Sequence, residues 1–314
     1  MKSDTSTPLC WVVTEGMAGT ENQCIGVAEA LGIEPQIRRI KLRQPWKSFS
    51  PWLGCESATT FEENLEAPWP DIVIASGRKS IAAARYIKKQ NPQTFLVQIQ
   101  DPRINPREFD LVAVPAHDPA KGENVITTLG APNRITDEKL AAAKTRFAHL
   151  EKIRGPRIAV LIGGTSKAYT MTPEITRDLA GKLKSLDGGL MITASRRTGE
   201  ANRKIIEDTL KGTDAYIWDG TGENPYLGFL AWADIIMVTA DSTSMLSEAA
   251  TTGKPVYIIA LEGGAKRLDL MHKNMVEAGV ARFFKASLEE WTYEPLRDAA
   301  KVATEIRRRW NAAL

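Results

Sequence analysis

The stretch Thr239–Ile259 reads TADSTSMLSEAATTGKPVYII. An apolar run, Asp234–Thr239, ends where it starts, and a second, Pro255–Ala260, begins where it closes. Between them stand four hydroxyls (Ser242, Thr243, Ser244, Ser247), two carboxylates (Asp241, Glu248) and a Gly253-Lys254-Pro255 stop. Short apolar runs flanking a segment of helical length predict a strand, a helix and a second strand, the βαβ unit of a parallel sheet. Small hydrogen-bonding groups on the strand-to-helix turn, with the free N–H groups of a helix start, suit a phosphate. Glu248, a turn or so into the helix, could accept hydrogen bonds from two vicinal hydroxyls of a ribose. The plainer alternative is a capped helix with a surface glutamate.

The same alternation extends outward over the whole chain. Leu9–Thr14 reads as a strand, followed by a Gly16–Gly19 loop and a helix closed by Gly32. Thr20–Gln23 has the spacing of a capping box at that helix start. Further strands are expected at Asp71–Ala75, Thr94–Gln100 and Asp110–Pro115, with a helix over Ser80–Lys89. A helix near Thr136–Lys152 leads away from this half, and Arg154-Gly155-Pro156 punctuates the chain. Strands then restart at Arg157–Ile162, Leu190–Ala194 and Ala215–Trp218, before the stretch quoted first. Helices are expected over Arg267–Glu277 and Pro295–Trp310. The pattern predicts an α/β protein of two Rossmann-like, doubly wound parallel-sheet domains, 1–153 and 154–314, facing a cleft, with the last helix packing back on the first domain. In such sheets ligands sit at the carboxyl ends of the strands.

Composition agrees. The chain has 314 residues, 43% hydrophobic and 25% charged, enough for two cores of about 150 residues each. A net charge of +3 is too small to point to nucleic acid. Basic runs at Arg38–Arg43 and Arg307–Arg309 read as solvated faces or as contacts with a membrane or polyanion. Three scattered cysteines argue against a disulfide framework, and three isolated histidines against a zinc site. The N-terminus lacks a signal peptide's apolar core, and no apolar run is long enough to span a bilayer. A cytoplasmic protein is expected, in contact with membrane surfaces at most peripherally.

Three further post-strand turns carry chemistry. Gly163-Gly164-Thr165-Ser166-Lys167 lets backbone approach an anion closely, although it has neither the P-loop nor the dinucleotide spacing. Ser195-Arg196-Arg197 sets two guanidiniums at a strand end, where they could grip a diphosphate. Asn224-Pro225-Tyr226 lies where a base could be recognised. Diphosphate donors and a diol acceptor on neighbouring turns of one domain are what a nucleotide sugar requires.

In motif order the C-terminal half resembles the donor domain of GT-B glycosyltransferases such as the lipid A disaccharide synthase and the peptidoglycan N-acetylglucosaminyltransferase. The likeness runs through Gly163–Ser166, Arg196-Arg197, and the strand from Ala233-Asp234 to Ser242–Ser244, Glu248 and Gly253-Lys254-Pro255. Nearly the whole chain resembles the mitochondrial-fission ELM (elongated mitochondria) family. The hallmarks are TEGMAGTENQ at 14–23, ASGR at 75–78, QIQDPR at 98–103 and IGGT at 162–165. Bacterial relatives carry the label of predicted nucleoside-diphosphate-sugar epimerases, and plant relatives are associated with recruiting a dynamin-like protein to mitochondria.

The resemblance implies a nucleoside-diphosphate sugar as co-substrate, no tightly bound cofactor and no metal. Its expected binding set is Gly163, Gly164, Thr165, Ser166, Lys167, Ser195, Arg196, Arg197, Asn224, Asp241, Ser242, Thr243, Ser244 and Glu248. Transfer to an acceptor needs a base, expected from the first half among His117, Asp118, Asp101 and Glu15, each after a strand. Glu15 is alternatively expected to hold Arg78 or Arg103, and Asp101 to cap the turn at Pro102. Gly16, Gly19, Gln23, Arg78 and Arg103 would line the acceptor side or cleft. The leading expectation is a metal-independent glycosyltransferase acting on an unknown acceptor. The alternatives are a sugar-nucleotide epimerase and a non-catalytic recruiter of a protein or membrane partner.

Overall fold

Apolar runs such as Cys10-Trp11-Val12-Val13 form strands buried on both faces, because alternate residues feed two separate cores. The computed structural model describes residues 7–313 except 117. The chain divides into two units, Met1–Arg134 with Arg297–Leu314, and Ile135–Leu296.

The first unit runs β1 (Cys10–Thr14), α1 (Ala18–Ala30), β2 (Gln36–Arg39), α2 (Trp46–Phe49), β3 (Ile72–Ser76), α3 (Ser80–Gln90), β4 (Phe95–Ile99), β5 (Leu111–Pro115) and β6 (Val125–Thr128). These strands form one sheet, ordered β2-β1-β3-β4-β5-β6 and parallel throughout. Trp11, Val13, Val73 and Ala75 pack with α3 on one face. Val12, Ile72, Ile74 and Val97 pack with Cys24, Val27 and Val302 on the other.

The helix start at residue 18 overturns the expected capping box. Met17 is the N-cap, and Thr20 Oγ1 donates back to Met17 O at 3.0 Å. Glu21 turns inward instead. Arg39 forks onto its carboxylate, with Nε and Nη2 each 2.8 Å from an oxygen, and holds that carboxyl below its ordinary pKa. Arg38 lies over the Trp11 ring, 4.5 Å from its centroid. The basic run at 38–43 is therefore partly engaged within the fold.

The second unit runs α4 (Asp137–Arg146), β7 (Arg157–Ile162), β8 (Tyr169–Thr170), α5 (Pro173–Lys184), β9 (Gly189–Ala194), α6 (Glu200–Leu210), β10 (Ala215–Ile217), α7 (Tyr226–Trp232), β11 (Ile235–Thr239), α8 (Thr243–Thr251), β12 (Val256–Ile259), β13 (Glu262–Gly263), α9 (Lys266–Glu277) and β14 (Ala281–Phe283). Its six-stranded sheet is ordered β10-β9-β7-β11-β12-β14, and β8 and β13 form a separate two-stranded ribbon. The order doubles back at β7, with β9 on one side and β11 on the other, so the crevice above β7 and β11 is the topological switch point.

The change of unit falls at 134/135 rather than at 153/154. Residues 135–153 stay with the second unit because α4 packs on α7. Trp232 Nε1 donates to Lys144 O at 3.1 Å, and a Cβ on Gly228 would lie 2.7 Å from the Phe147 ring. Gly155-Pro156 therefore punctuates the approach to β7, not a boundary. The last helix, α10 (Asp298–Ala313), belongs to the first unit. Asp298 accepts from Gly130 N at 2.9 Å, and Trp310 packs against the core beside α1. Arg308 and Arg309 bond Glu305, and Arg307 donates to Ala30 O, so the arginines of this helix are engaged within the unit. Among the described residues, no helix is long and apolar enough to cross a membrane.

Candidate functional site

β7, β9 and β11 end side by side in the second unit and bring three of the candidate turns together. Gly163 N donates to Thr239 Oγ1 at 2.7 Å. Gly163 O accepts from Ser195 Oγ at 2.5 Å and from Thr198 Oγ1 at 2.7 Å. Thr165 N donates to Arg197 O at 3.1 Å. The glycines are set by close approach. A Cβ on Gly163 would stand 2.3 Å from the Asp241 carboxylate, and one on Gly164 (φ +134°) 2.3 Å from Arg197 O. The Asp241 side chain is fully buried, and Arg197 Nη2 reaches its Oδ2 at 2.5 Å.

The hydroxyls divide by task. Ser166 Oγ accepts from Ala168 N and Tyr169 N, and Thr165 Oγ1 from Met171 N. Ser195 caps the short 3-10 turn Arg196–Thr198, and Ser242 caps α8 by accepting from Met245 N at 3.3 Å. Ser247 Oγ donates to Thr243 O. These groups shape the turns. Lys167 and Arg196 are exposed, and Thr243 and Ser244 open the first turn of α8, where backbone N–H groups precede the first intrahelical bond. Asn224 Oδ1 accepts from Tyr226 N at 3.0 Å and so fixes the start of α7.

Glu248 sits on α8 and accepts a hydrogen bond from Tyr226 Oη. Burial pushes the Glu248 carboxyl above its ordinary pKa, against the Tyr226 hydrogen bond, and pushes the tyrosine hydroxyl well up too. Tyr226 is the partner that sequence reasoning missed. Its position just after Asn224-Pro225 was the available signal.

In the first unit, the candidates lie at the ends of β1, β3, β4 and β5. Glu15 pairs with Lys79 Nζ at 2.7 Å, not with Arg78 or Arg103. Arg78 points the other way, and its Nη1 donates to Ser50 O at 2.6 Å. Asp101 Oδ1 accepts from Arg103 N at 2.9 Å, and the buried Asp118 accepts from Asp101 N at 3.3 Å. Gln100 and Arg103 both hold positive φ, +74° and +59°. Gln23 Oε1 accepts from Gln100 Nε2 at 3.1 Å, Gly16 (φ +81°) donates to Thr14 Oγ1, and Gly19 lies inside α1. His117 lies outside the described residues.

Two doubly wound parallel sheets of this kind define a GT-B-like fold. Solved structures agree over nearly the whole chain. MurG of Acinetobacter baumannii matches with a TM-score of 0.51 at 13% identity, over 98% of this chain and 93% of that one. The UDP-GlcNAc 2-epimerase of Methanocaldococcus jannaschii matches with a TM-score of 0.59 at 13% identity, over 96% and 100%. The pattern of the family described as Mitochondrial fission ELM1 fits residues 18–310, and the chain belongs to that family. The Mitochondrial fission protein ELM1 of Arabidopsis thaliana is 28% identical over 95% of this chain and 90% of its own length. An uncharacterized protein of Rickettsia prowazekii is 31% identical over 76% of this chain and 79% of its own.

Proposed function

We propose that the second unit binds a nucleoside-diphosphate sugar, and that the protein is a glycosyltransferase moving the sugar to an acceptor without a resident metal. One juxtaposition carries this reading. The Gly163-Gly164 turn, the Arg197–Asp241 pair and the start of α8 meet at the β7/β11 switch point, and Glu248 follows on the same helix. Gly164, the first-turn amides of α8, Lys167 and Arg196 would hold the diphosphate, and Glu248 the ribose diol. Asp101, Asp118 and Glu15 are the first unit's carboxylates for taking the acceptor proton. Titration calorimetry with UDP-, GDP-, ADP- and CMP-linked sugars tests the reading. At least one is expected to bind, and none binding counts heavily against it. If a bound sugar takes up deuterium from solvent at a ring carbon, the reaction is epimerisation rather than transfer.

A second reading, contact with an anionic membrane surface, has its own observation. α2 and the turn after it present Phe49 and Trp52, 60% and 64% exposed, beside the exposed Arg43 and Lys47. Arg78 and Arg85 bond the carbonyls of Ser50 and Pro51 from beneath, which leaves the two rings outward. Aromatic rings flanked by basic groups suit a headgroup interface. The protein is expected to pellet with vesicles of phosphatidylcholine and phosphatidylglycerol. A Phe49→Ser/Trp52→Ser double variant should stay in solution, and equal pelleting of the two proteins rejects this patch.

A further inference from the structure

A cavity of about 470 Å³ opens at the carboxyl edge of the second sheet, beside the candidate turns but made of other residues. Its lining includes Tyr169, Ala240, Leu261, Asp269, His272 and Phe283. The volume is in the range of small-molecule sites. Ala240 directly follows β11 and precedes Asp241, so the cavity adjoins the switch point. The β8–β13 ribbon and a Gly264 N donation to Ala168 O at 2.8 Å tie the loop after β7 to the loop after β12 at its rim.

The cavity has two kinds of wall. Leu261, Val276 and Phe283 are apolar, Lys273 and Glu277 also line the cavity but pair with each other at 3.6 Å, and the buried His272 ring stands between Tyr169 and Phe283, with centroids 6.4 and 6.2 Å away. At the other side Asp269, in the first turn of α9, accepts from Tyr169 Oη at 3.2 Å through Oδ1. Burial and the facing Asp269 carboxylate push the Tyr169 hydroxyl up to about 12, so it stays a donor. A carboxylate beside a mostly apolar, ring-lined wall matches a compact polyol with one hydrophobic substituent.

We infer that this cavity houses the glycosyl group of the nucleotide sugar, that Asp269 selects it by accepting its hydroxyls, and that the apolar wall favours an N-acylated or deoxy sugar. The inference rests on the nucleotide-sugar reading and names that site's substrate class. The two are separable by calorimetry on the whole chain with UDP, UDP-glucose, UDP-N-acetylglucosamine, GDP, GDP-mannose and GDP-fucose. For the base that binds, the acylated or deoxy sugar is expected to bind more tightly than the plain hexose and than the bare diphosphate. Asp269→Asn should weaken the sugar nucleotide about 10–100-fold and leave the bare diphosphate unchanged. Val276→Asp, at a site 36% exposed and safe for folding, should erase the preference for the substituted sugar. Equal binding of sugar nucleotide and diphosphate, or equal effects of Asp269→Asn on both, overturns the inference while leaving nucleotide binding intact. Failure of all six ligands overturns the inference, and failure of the ADP- and CMP-linked sugars as well overturns both.

Discussion

Gly164→Ala is expected to destabilise the protein by about 2–6 kcal/mol. Two costs add. The residue holds φ +134°, outside the left-handed helical well that other residues visit, and strain of this kind costs about 1–3 kcal/mol. The new Cβ would also stand 2.3 Å from Arg197 O and 2.4 Å from its carbonyl carbon, which are backbone atoms and not a movable side-chain end. Overpacking costs about 1–3 kcal/mol more. Relief would require the turn after β9 to shift, and that turn is bonded to Gly163 through Ser195 and Thr198. Urea unfolding followed by tryptophan fluorescence measures the loss. Gly181→Ala supplies the contrast. That glycine lies in α5 with nothing within 4 Å of its missing Cβ, and alanine there should stabilise by about 0.5–1 kcal/mol. A loss at Gly164 no larger than about 0.5 kcal/mol would mean that the turn yields, and that the close approach does not fix the site.

The fold could be read ahead of the structure where strands are buried on both faces, because such strands leave apolar runs of their own length. β1, β3, β4, β5, β7, β9 and β11 are of this kind. β2 is not: Gln36-Ile37-Arg38-Arg39 lies at the sheet edge with every residue exposed, so no run or alternation marks it. The unit boundary was hidden for a related reason. Gly-Pro is a local signal, whereas the membership of α4 is decided by Trp232 and Phe147, contacts 80 or so residues apart in the chain.

Side-chain roles were less legible than the turns that bear them. Ser166, Ser195 and Ser242 have the same composition signature whether they meet a phosphate or a neighbouring amide, and here each meets an amide. Glu15 selects Lys79 over Arg78 because Arg78 is drawn to the carbonyls near α2, a segment that left no periodic signal. Tyr169 lies a hundred residues before Asp269 and His272 of α9, and the β8–β13 ribbon helps bring the two segments together.

Glu248→Gln is expected to stabilise the ligand-free protein and to weaken nucleotide binding. The native carboxyl is raised from its ordinary 4.5 chiefly by burial, so the folded state disfavours the charged form. The sign follows from linkage. Folding holds the proton between the ordinary and the raised pKa, so the group's contribution is fully present below pH 4.5 and is lost as the pH rises through the folded value. Glutamine removes that loss and still accepts from Tyr226. Neutralising such a buried group gains about 1 kcal/mol or more, which for a domain of this size raises Tm by about 2–4 °C. The gain should appear at pH 8 and vanish at pH 4. Binding should move the opposite way, because an ionised acceptor holds ribose hydroxyls more strongly than an amide does. About a tenfold loss of affinity is expected for glutamine and about a hundredfold for Glu248→Ala, read by calorimetry at pH 8. A residue retained at a cost to stability and needed for the ligand would behave in this way. Glutamine leaving both Tm and affinity unchanged would make Glu248 an ordinary partner of Tyr226 and remove the diol acceptor from the site.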